Sequence, residues 1–221
     1  MHPTVIVDHF FEDPHDILSF AHQLNYAPSA DGRWPGVRNV DDPHPRWQEF
    51  KDYLKHRLQQ VGVFPHLPPD KLFLLPKFQL IHPTGLDRHD YGNRGFVHHD
   101  HAPFFNTSLT VQATVMIYLN ARESSHYGGT CLLEKKPHMD NPYLGLDIKH
   151  PFLYNNQHKK IPDFDHSMKL HWDQFDEVLD CPNRFNRMFM FDSRQWHGVK
   201  FYFSNQVTEP RITLVTFIGF E

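Results

Sequence analysis

From Leu72 onward the apolar residues of this chain change their period, and that change limits what it can fold into. Before it, two stretches carry apolar side chains at steps of three and four; after it, short β-branched and aromatic runs are separated by turn residues. Leu72 to Ile81 reads as a strand ended by the turn His82-Pro83-Thr84-Gly85. Ser108 to Asn120 is a long β-branched run that predicts a buried strand, and Gly128-Gly129 turns the chain into Thr130 to Glu134. Arg187 to Phe191 and Val199 to Phe203 read as further strands, and Arg211 to Phe220 closes the chain. Many strands behind a helical N-terminal part predict a mainly-β sandwich or jelly roll with N-terminal bracing helices.

The helical part has its own punctuation. Val5-Ile6-Val7 is a short opening strand. Asp13-Pro14 then offers an N-cap followed by proline at the first helical position, and Ile17, Leu18, Ala21 and Leu24 make one apolar face. A loop carries Trp34-Pro35-Gly36-Val37-Arg38. Trp47, Phe50, Leu54, Leu58 and Val61 predict a second helix, with Gly62 as its stop. Both helices are expected to brace a sheet. With 221 residues, the chain is expected to be a single domain spanning 1–221. Residues 135–183 stand apart as an insertion rich in Pro, His, Asn and Lys. Met168, Trp172, Phe175 and Leu179 predict one helix from about Ser167 to Leu179, and the aromatic content favours an ordered active-site flap.

The net charge of −4 gives no nucleic-acid footprint. The first residues lack a basic region followed by an apolar run, and no stretch approaches the roughly 18 apolar residues of a membrane span, so the chain reads as soluble and cytoplasmic. Cys131 and Cys181 are expected to be free thiols, Cys131 as a small core residue. Nineteen histidines exceed what packing needs; His2, His22 and His138 sit alone in polar stretches and read as exposed.

Phe96-Val97-His98-His99-Asp100-His101 carries the chemistry. His98 and Asp100 are two residues apart, so in an extended strand both point to one face. His197, arriving from a second strand, would complete two imidazoles and one carboxylate around a metal. That set leaves coordination positions open, as in non-haem Fe(II) oxygenases. A bare His-x-Asp also fits surface decoration. His99 and His101 share the opposite face and lack a nearby carboxylate, so they rank as supporting or surface residues.

Val115-Met116-Ile117-Tyr118-Leu119-Asn120 followed by Gly128-Gly129-Thr130 resembles the Tyr-Leu-Asn…Gly-Gly-x-Thr pattern of prolyl-4-hydroxylase-like 2-oxoglutarate/Fe(II) oxygenases. His98-x-Asp100 and His197 stand where that superfamily keeps its iron ligands, and Asn186 to Asp192 looks like the strand delivering the distal histidine. Asp13-Pro14, Pro35-Gly36-Val37-Arg38 and Asn186-Arg187 look like a bacterial and viral branch of it. The resemblance implies a double-stranded β-helix, iron(II) held by His98, Asp100 and His197, 2-oxoglutarate as cosubstrate, and O₂. It also implies a basic anchor for the far carboxylate of 2-oxoglutarate. Arg211 is the candidate, because a buried carboxylate suits a planar fork of donors, with Thr213 on the same strand face. The tyrosine that relatives often place ahead of His-x-Asp is missing, so that role passes to His82 or Gln79, or is absent. With Asp100 present, the resemblance implies a hydroxylase and not a halogenase, acting on a small molecule or a peptide side chain. Two alternatives are a cupin-like metal-binding jelly roll without 2-oxoglutarate and a structural virion β-protein.

Overall fold

The Asp13 side chain accepts hydrogen bonds from the backbone N–H of His15 (3.1 Å) and Asp16 (3.0 Å), and helix α1 (Pro14–His22) starts where the Asp-Pro pair predicts. Helix α2 (Trp47–Gln60) buries Phe50, Leu54 and Leu58 on one face. These observations come from a computed structural model that describes residues 2–28, 34–40, 44–83, 85–103, 109–120, 127–138, 163–204 and 207–220.

Ten strands among the described residues form two antiparallel sheets. They are β1 (Val5–Val7), β2 (Tyr26–Pro28), β3 (Val37–Asn39), β4 (Leu72–Ile81), β5 (Ala113–Tyr118), β6 (Thr130–Lys135), β7 (Phe175–Cys181), β8 (Met188–Asp192), β9 (Trp196–Val199) and β10 (Arg211–Phe220). The larger sheet runs β1-β8-β5-β10-β4-β3-β2 and the smaller β7-β6-β9. Alternation along the central strands sorts the side chains. Ile212, Leu214 and Ile218 of β10, with Ala113, Val115 and Ile117 of β5, join the core under α1 and α2. Met116, Tyr118 and Val215 face the smaller sheet instead. Phe78 of β4 links the layers: its ring centroid lies 6.0 Å from Phe20 and 5.2 Å from Phe50.

The bracing helices and the double-stranded β-helix are as expected, but several elements differ in detail. The helix expected to Leu179 stops at Trp172; α3 is Phe164–Trp172, and Phe175 and Leu179 belong to β7, an edge strand paired with β6. The stretch read as a loop around Trp34 contains β3, which pairs with β4 through Val37 and Arg38. The strand expected over Val199 to Phe203 lies earlier, as β9. Of the expected flap, residues 139–162 lie outside the described residues, as does Ser108. His2 is not a plain surface residue: its ring meets those of Phe64 (5.1 Å) and Phe220 (5.6 Å) edge-on. Cys131 and Cys181 are both buried and free. No helix among the described residues is long and apolar enough to cross a membrane.

Candidate metal centre

His98 and Asp100 do not lie in a named strand. They lie on an extended segment joined to β9 by a single bridge between His98 and His197, each backbone N–H donating to the other's carbonyl (3.0 and 2.9 Å). The Asp100 N–H donates to Ser193 O at 2.8 Å, which fixes the far end of the segment. Two hydrogen-bonded anchors thus hold positions 98 and 100 on one face without a full ladder.

One ligand atom each of His98, Asp100 and His197 lies within 4.8 Å of the others. His98 Nε2 is 3.4 Å from Asp100 Oδ1, and His197 Nε2 is 3.3 Å from Oδ2. Each imidazole is oriented from behind. His98 Nδ1 lies 2.9 Å from Phe96 O and His197 Nδ1 3.1 Å from Gln195 O. A carbonyl only accepts, so each Nδ1 carries the hydrogen, and in the neutral ring each Nε2 offers its lone pair to the centre. Thr114 Oγ1 donates to Asp100 Oδ2 at 2.7 Å. Burial pushes the Asp100 carboxyl up, but the adjacent His197 and His98 outweigh it and hold it well below the usual carboxylate range. Two imidazoles with Nε2 turned to the centre and one ionised carboxylate suit a single divalent cation with open positions. His99 stays outside this set, with its ring against Trp196 (4.9 Å), and His101 Nδ1 lies 3.3 Å from Val111 O.

The three groups open onto a cavity that Gln79, Thr114, Met116, Tyr202 and Arg211 also line. Arg211 is 2 % exposed, and its Nε and Nη2 find no hydrogen-bond partner among the described residues. Its guanidinium carbon lies 5.8 Å from the centre of the Tyr118 ring, and burial pulls its pKa down. A buried cation with two donor atoms that find no partner among the described residues fits a bound anion, since leaving it uncompensated is costly. Thr213 shares the Arg211 strand face, fully buried, with an Oγ1 that also lacks a partner among the described residues. Gln79 reaches the cavity, but its amide is committed: Oε1 accepts from Arg38 and Nε2 donates to Pro35 O at 2.7 Å. His82 is exposed and does not line the cavity. Gln79 and Ile81 take the inward positions of β4, so the next residue turns away.

The sequence reading gave no role to three residues, two of which, Tyr118 and Asn120, stand in its Tyr-Leu-Asn pattern. Thr114 orients Asp100; its inward parity with Met116 and Tyr118 was the available signal. Asn120 braces the start of β10: its Oδ1 accepts from Ile212 N (3.0 Å) and its Nδ2 donates to Pro210 O (3.0 Å), on either side of Arg211. Tyr118 Oη accepts from Thr130 N at 3.1 Å, tying β5 to β6. The Gly128-Gly129 pair has a steric reason, because a Cβ on either would fall 1.9 Å from a backbone oxygen, of Phe201 or Cys181.

Comparison with solved structures gives the same architecture. The chain is similar to a Pseudomonas putida prolyl-4-hydroxylase (14 % identity, TM-score 0.52, covering 100 % of this chain and 94 % of that one). It is also similar to HygX from Streptomyces hygroscopicus, solved with nickel, 2-oxoglutarate and hygromycin B (12 %, 0.56, 98 % and 82 %). A third is the epimerase SnoN from nogalamycin biosynthesis, solved with Fe3+, alpha ketoglutarate and nogalamycin RO (14 %, 0.54, 98 % and 78 %). At such identities these likenesses show the fold. Comparison with curated proteins gives no match. The model of the 2OG-Fe(II) oxygenase superfamily matches residues 86–219, more than half of the chain, from ahead of His98 to beyond Arg211. That match sets aside the cupin-like and virion alternatives and makes iron and 2-oxoglutarate the cofactors. The chain belongs to the 2OG-Fe(II) oxygenase superfamily.

Proposed function

We propose that this oxygenase hydroxylates an unactivated C–H bond of a small molecule or a peptide side chain, with His98, Asp100 and His197 as its iron ligands. The observation that carries this reading is the pairing in one cavity of that cluster with Arg211, a buried guanidinium whose Nε and Nη2 have no partner in the described chain. Iron(II), 2-oxoglutarate and O₂ together supply an oxidant strong enough to take hydrogen from such a bond, leaving succinate and CO₂ as co-products.

The chain supplies placement. His98 and His197 present Nε2 because their Nδ1 hydrogens are engaged by backbone carbonyls, and Thr114 fixes the rotation of the Asp100 carboxylate. Arg211 would take the far carboxylate of 2-oxoglutarate, with Thr213 beside it on the same strand face. Phe96, Met116, Val215 and Phe217 give the cavity apolar walls that restrict water around the centre. The segment 135–183 shapes this entrance in part: Trp172 of α3 donates its Nε1 hydrogen to Gly95 O at 3.0 Å, and its ring lies against Gly198 beside His197. That contact supports a substrate-selecting role for the segment.

The test is anaerobic titration of Fe(II) and 2-oxoglutarate, followed by the visible charge-transfer band of the ternary complex. Wild-type protein should show the band, and Asp100→Ala should lose it together with iron affinity. Arg211→Ala should bind iron normally but require roughly 10- to 150-fold more 2-oxoglutarate, the equivalent of one lost charged hydrogen bond. Absence of a band in the wild type, or an unchanged 2-oxoglutarate dissociation constant in Arg211→Ala, would reject the reading. Incorporation of label from ¹⁸O₂ into the oxidised product separates hydroxylation from other oxidative outcomes.

A further inference from the structure

Arg38 lines the same cavity, and neither the metal cluster nor the Arg211 anchor uses it. Its Nε and Nη2 both donate to Gln79 Oε1 (3.4 and 3.2 Å), and Gln79 is itself held by the bond to Pro35 O. The guanidinium carbon lies 4.7 Å from the centre of the Trp34 ring and 5.8 Å from that of Phe217. Gly36 brings this strand against β4: its φ is +69°, and a Cβ there would fall 2.0 Å from Leu80 O. The cation is thus fixed by its edge and by its faces, yet no carboxylate among the described residues pairs with it. Its Nη1 hydrogens are bonded to nothing in the described chain.

Charge balance shows what that edge is for. Among the described residues, the ionisable side chains lining the cavity are Arg38, His98, Asp100, His197, Tyr202 and Arg211. With the cofactors in place, the charges of iron(II) and Arg211 cancel those of Asp100 and the two carboxylates of 2-oxoglutarate. Arg38 is then a surplus positive charge in a partly desolvated site, which calls for a single further anion. Both ends of 2-oxoglutarate already have partners in this arrangement, so the anion belongs to the other substrate. A planar guanidinium edge matches a planar carboxylate.

We infer that Arg38 binds a carboxylate of the primary substrate, so that the enzyme acts on a carboxylic acid; this rests on the reading of the metal centre proposed above. The test uses wild-type protein loaded with Mn(II) and saturating 2-oxoglutarate, which does not turn over. Benzoate, benzamide and phenyl phosphate serve as probes, and binding is read as paramagnetic broadening of their ring protons. Benzoate should bind at least ~10-fold more tightly than benzamide, within the span expected for one charged hydrogen bond. Arg38→Gln should abolish the preference and leave the 2-oxoglutarate dissociation constant unchanged, while Arg38→Lys should keep part of it. Thermal unfolding of both variants shows whether the fold is intact, and Lys preserves the charge should Gln disturb packing. Equal or absent broadening by benzoate and benzamide would overturn the inference. So would tighter binding of phenyl phosphate, or an Arg38→Gln loss of 2-oxoglutarate affinity as large as that of Arg211→Ala. Each of those results leaves the metal-centre reading standing, whereas failure of the wild type to bind Mn(II) and 2-oxoglutarate removes both.

Discussion

A single hydroxyl on β5 decides how well Asp100 is aimed. Thr114 Oγ1 donates to Asp100 Oδ2 at 2.7 Å, and among the described residues the carboxylate's other close polar neighbours are the His98 and His197 imidazoles. Removing such an outer partner typically costs 10- to 100-fold in metal affinity. Thr114→Val keeps the shape, so iron should bind about 10- to 100-fold more weakly while the unfolding temperature changes little. An isothermal titration with Fe(II) under nitrogen checks this, and an unchanged affinity would mean that Asp100 is oriented without Thr114. That positions 98 and 100 would share a face was legible, because their two-residue spacing on an extended chain puts them there, and the β-branched run announced a buried strand nearby. The Thr114 contact was not legible, because it depends on how an extended segment with one bridge lies across β5, and sequence periodicity says nothing about that crossing.

Among the elements, β10 is the one whose placement sets where the proposed cosubstrate anchor, Arg211, lies. It pairs along its whole length with β4 and over six residues with β5, so Arg211 enters the cavity from the most constrained strand of the larger sheet. Its first turn of backbone hangs on Asn120, which bonds to Pro210 O and Ile212 N. Asn120→Ala should raise the 2-oxoglutarate dissociation constant several-fold or more and lower stability by about 1–3 kcal/mol, because two buried backbone groups lose their partner. Iron affinity without 2-oxoglutarate should stay at the wild-type value; a matching loss there would place the effect on the whole mouth instead of on β10. The same scale shows why some elements were readable and others not. The Asp13-Pro14 cap acts locally, and α1 begins where it predicts. The step from Phe175 to Leu179 is four residues, close to one helical turn and also an even number along a strand, so both periods fit it. Pairing with β6 decides for the strand. β2 and β3 are three residues each, too short to show any period, and exist because β4 offers an edge.

At the scale of the whole molecule, the N-terminal edge strand β1 is locked to the larger sheet by carboxylates at both ends. At one end the His2 N–H donates to Asp192 Oδ2 at 2.6 Å, and Arg194 closes on the same carboxylate with Nε and Nη2 (2.9 and 2.8 Å). At the other, Arg187 holds Asp8 through Nε and Nη2 (2.6 and 2.8 Å), and Asn186 bonds both the N–H and the carbonyl of Phe11. Burial pushes the Asp192 carboxyl up, but Arg194 and the His2 N–H overcome it and hold it far below its usual range. The Arg187 hydrogen bond lowers that of Asp8. Both folded values are depressed, so the stability these groups add is complete above about pH 4, where an unfolded aspartate is ionised, and is lost as pH falls through the folded values. Asp192 is buried and its pair contributes most; Asp8 is 42 % exposed, and water screens much of its pair. Asp192→Asn should therefore cost about 1.5–3 kcal/mol at pH 7, the worth of hydrogen bonds to a charged group. The Asp8→Asn, Asp192→Asn double variant should show a flatter decline between pH 4 and pH 2 than the wild type, since both proteins retain every other acid. Denaturant unfolding at stepped pH measures this, with amide exchange in Val5–Val7 reporting whether β1 releases first. Parallel acid limbs in the two proteins would show that the locks do not govern acid stability.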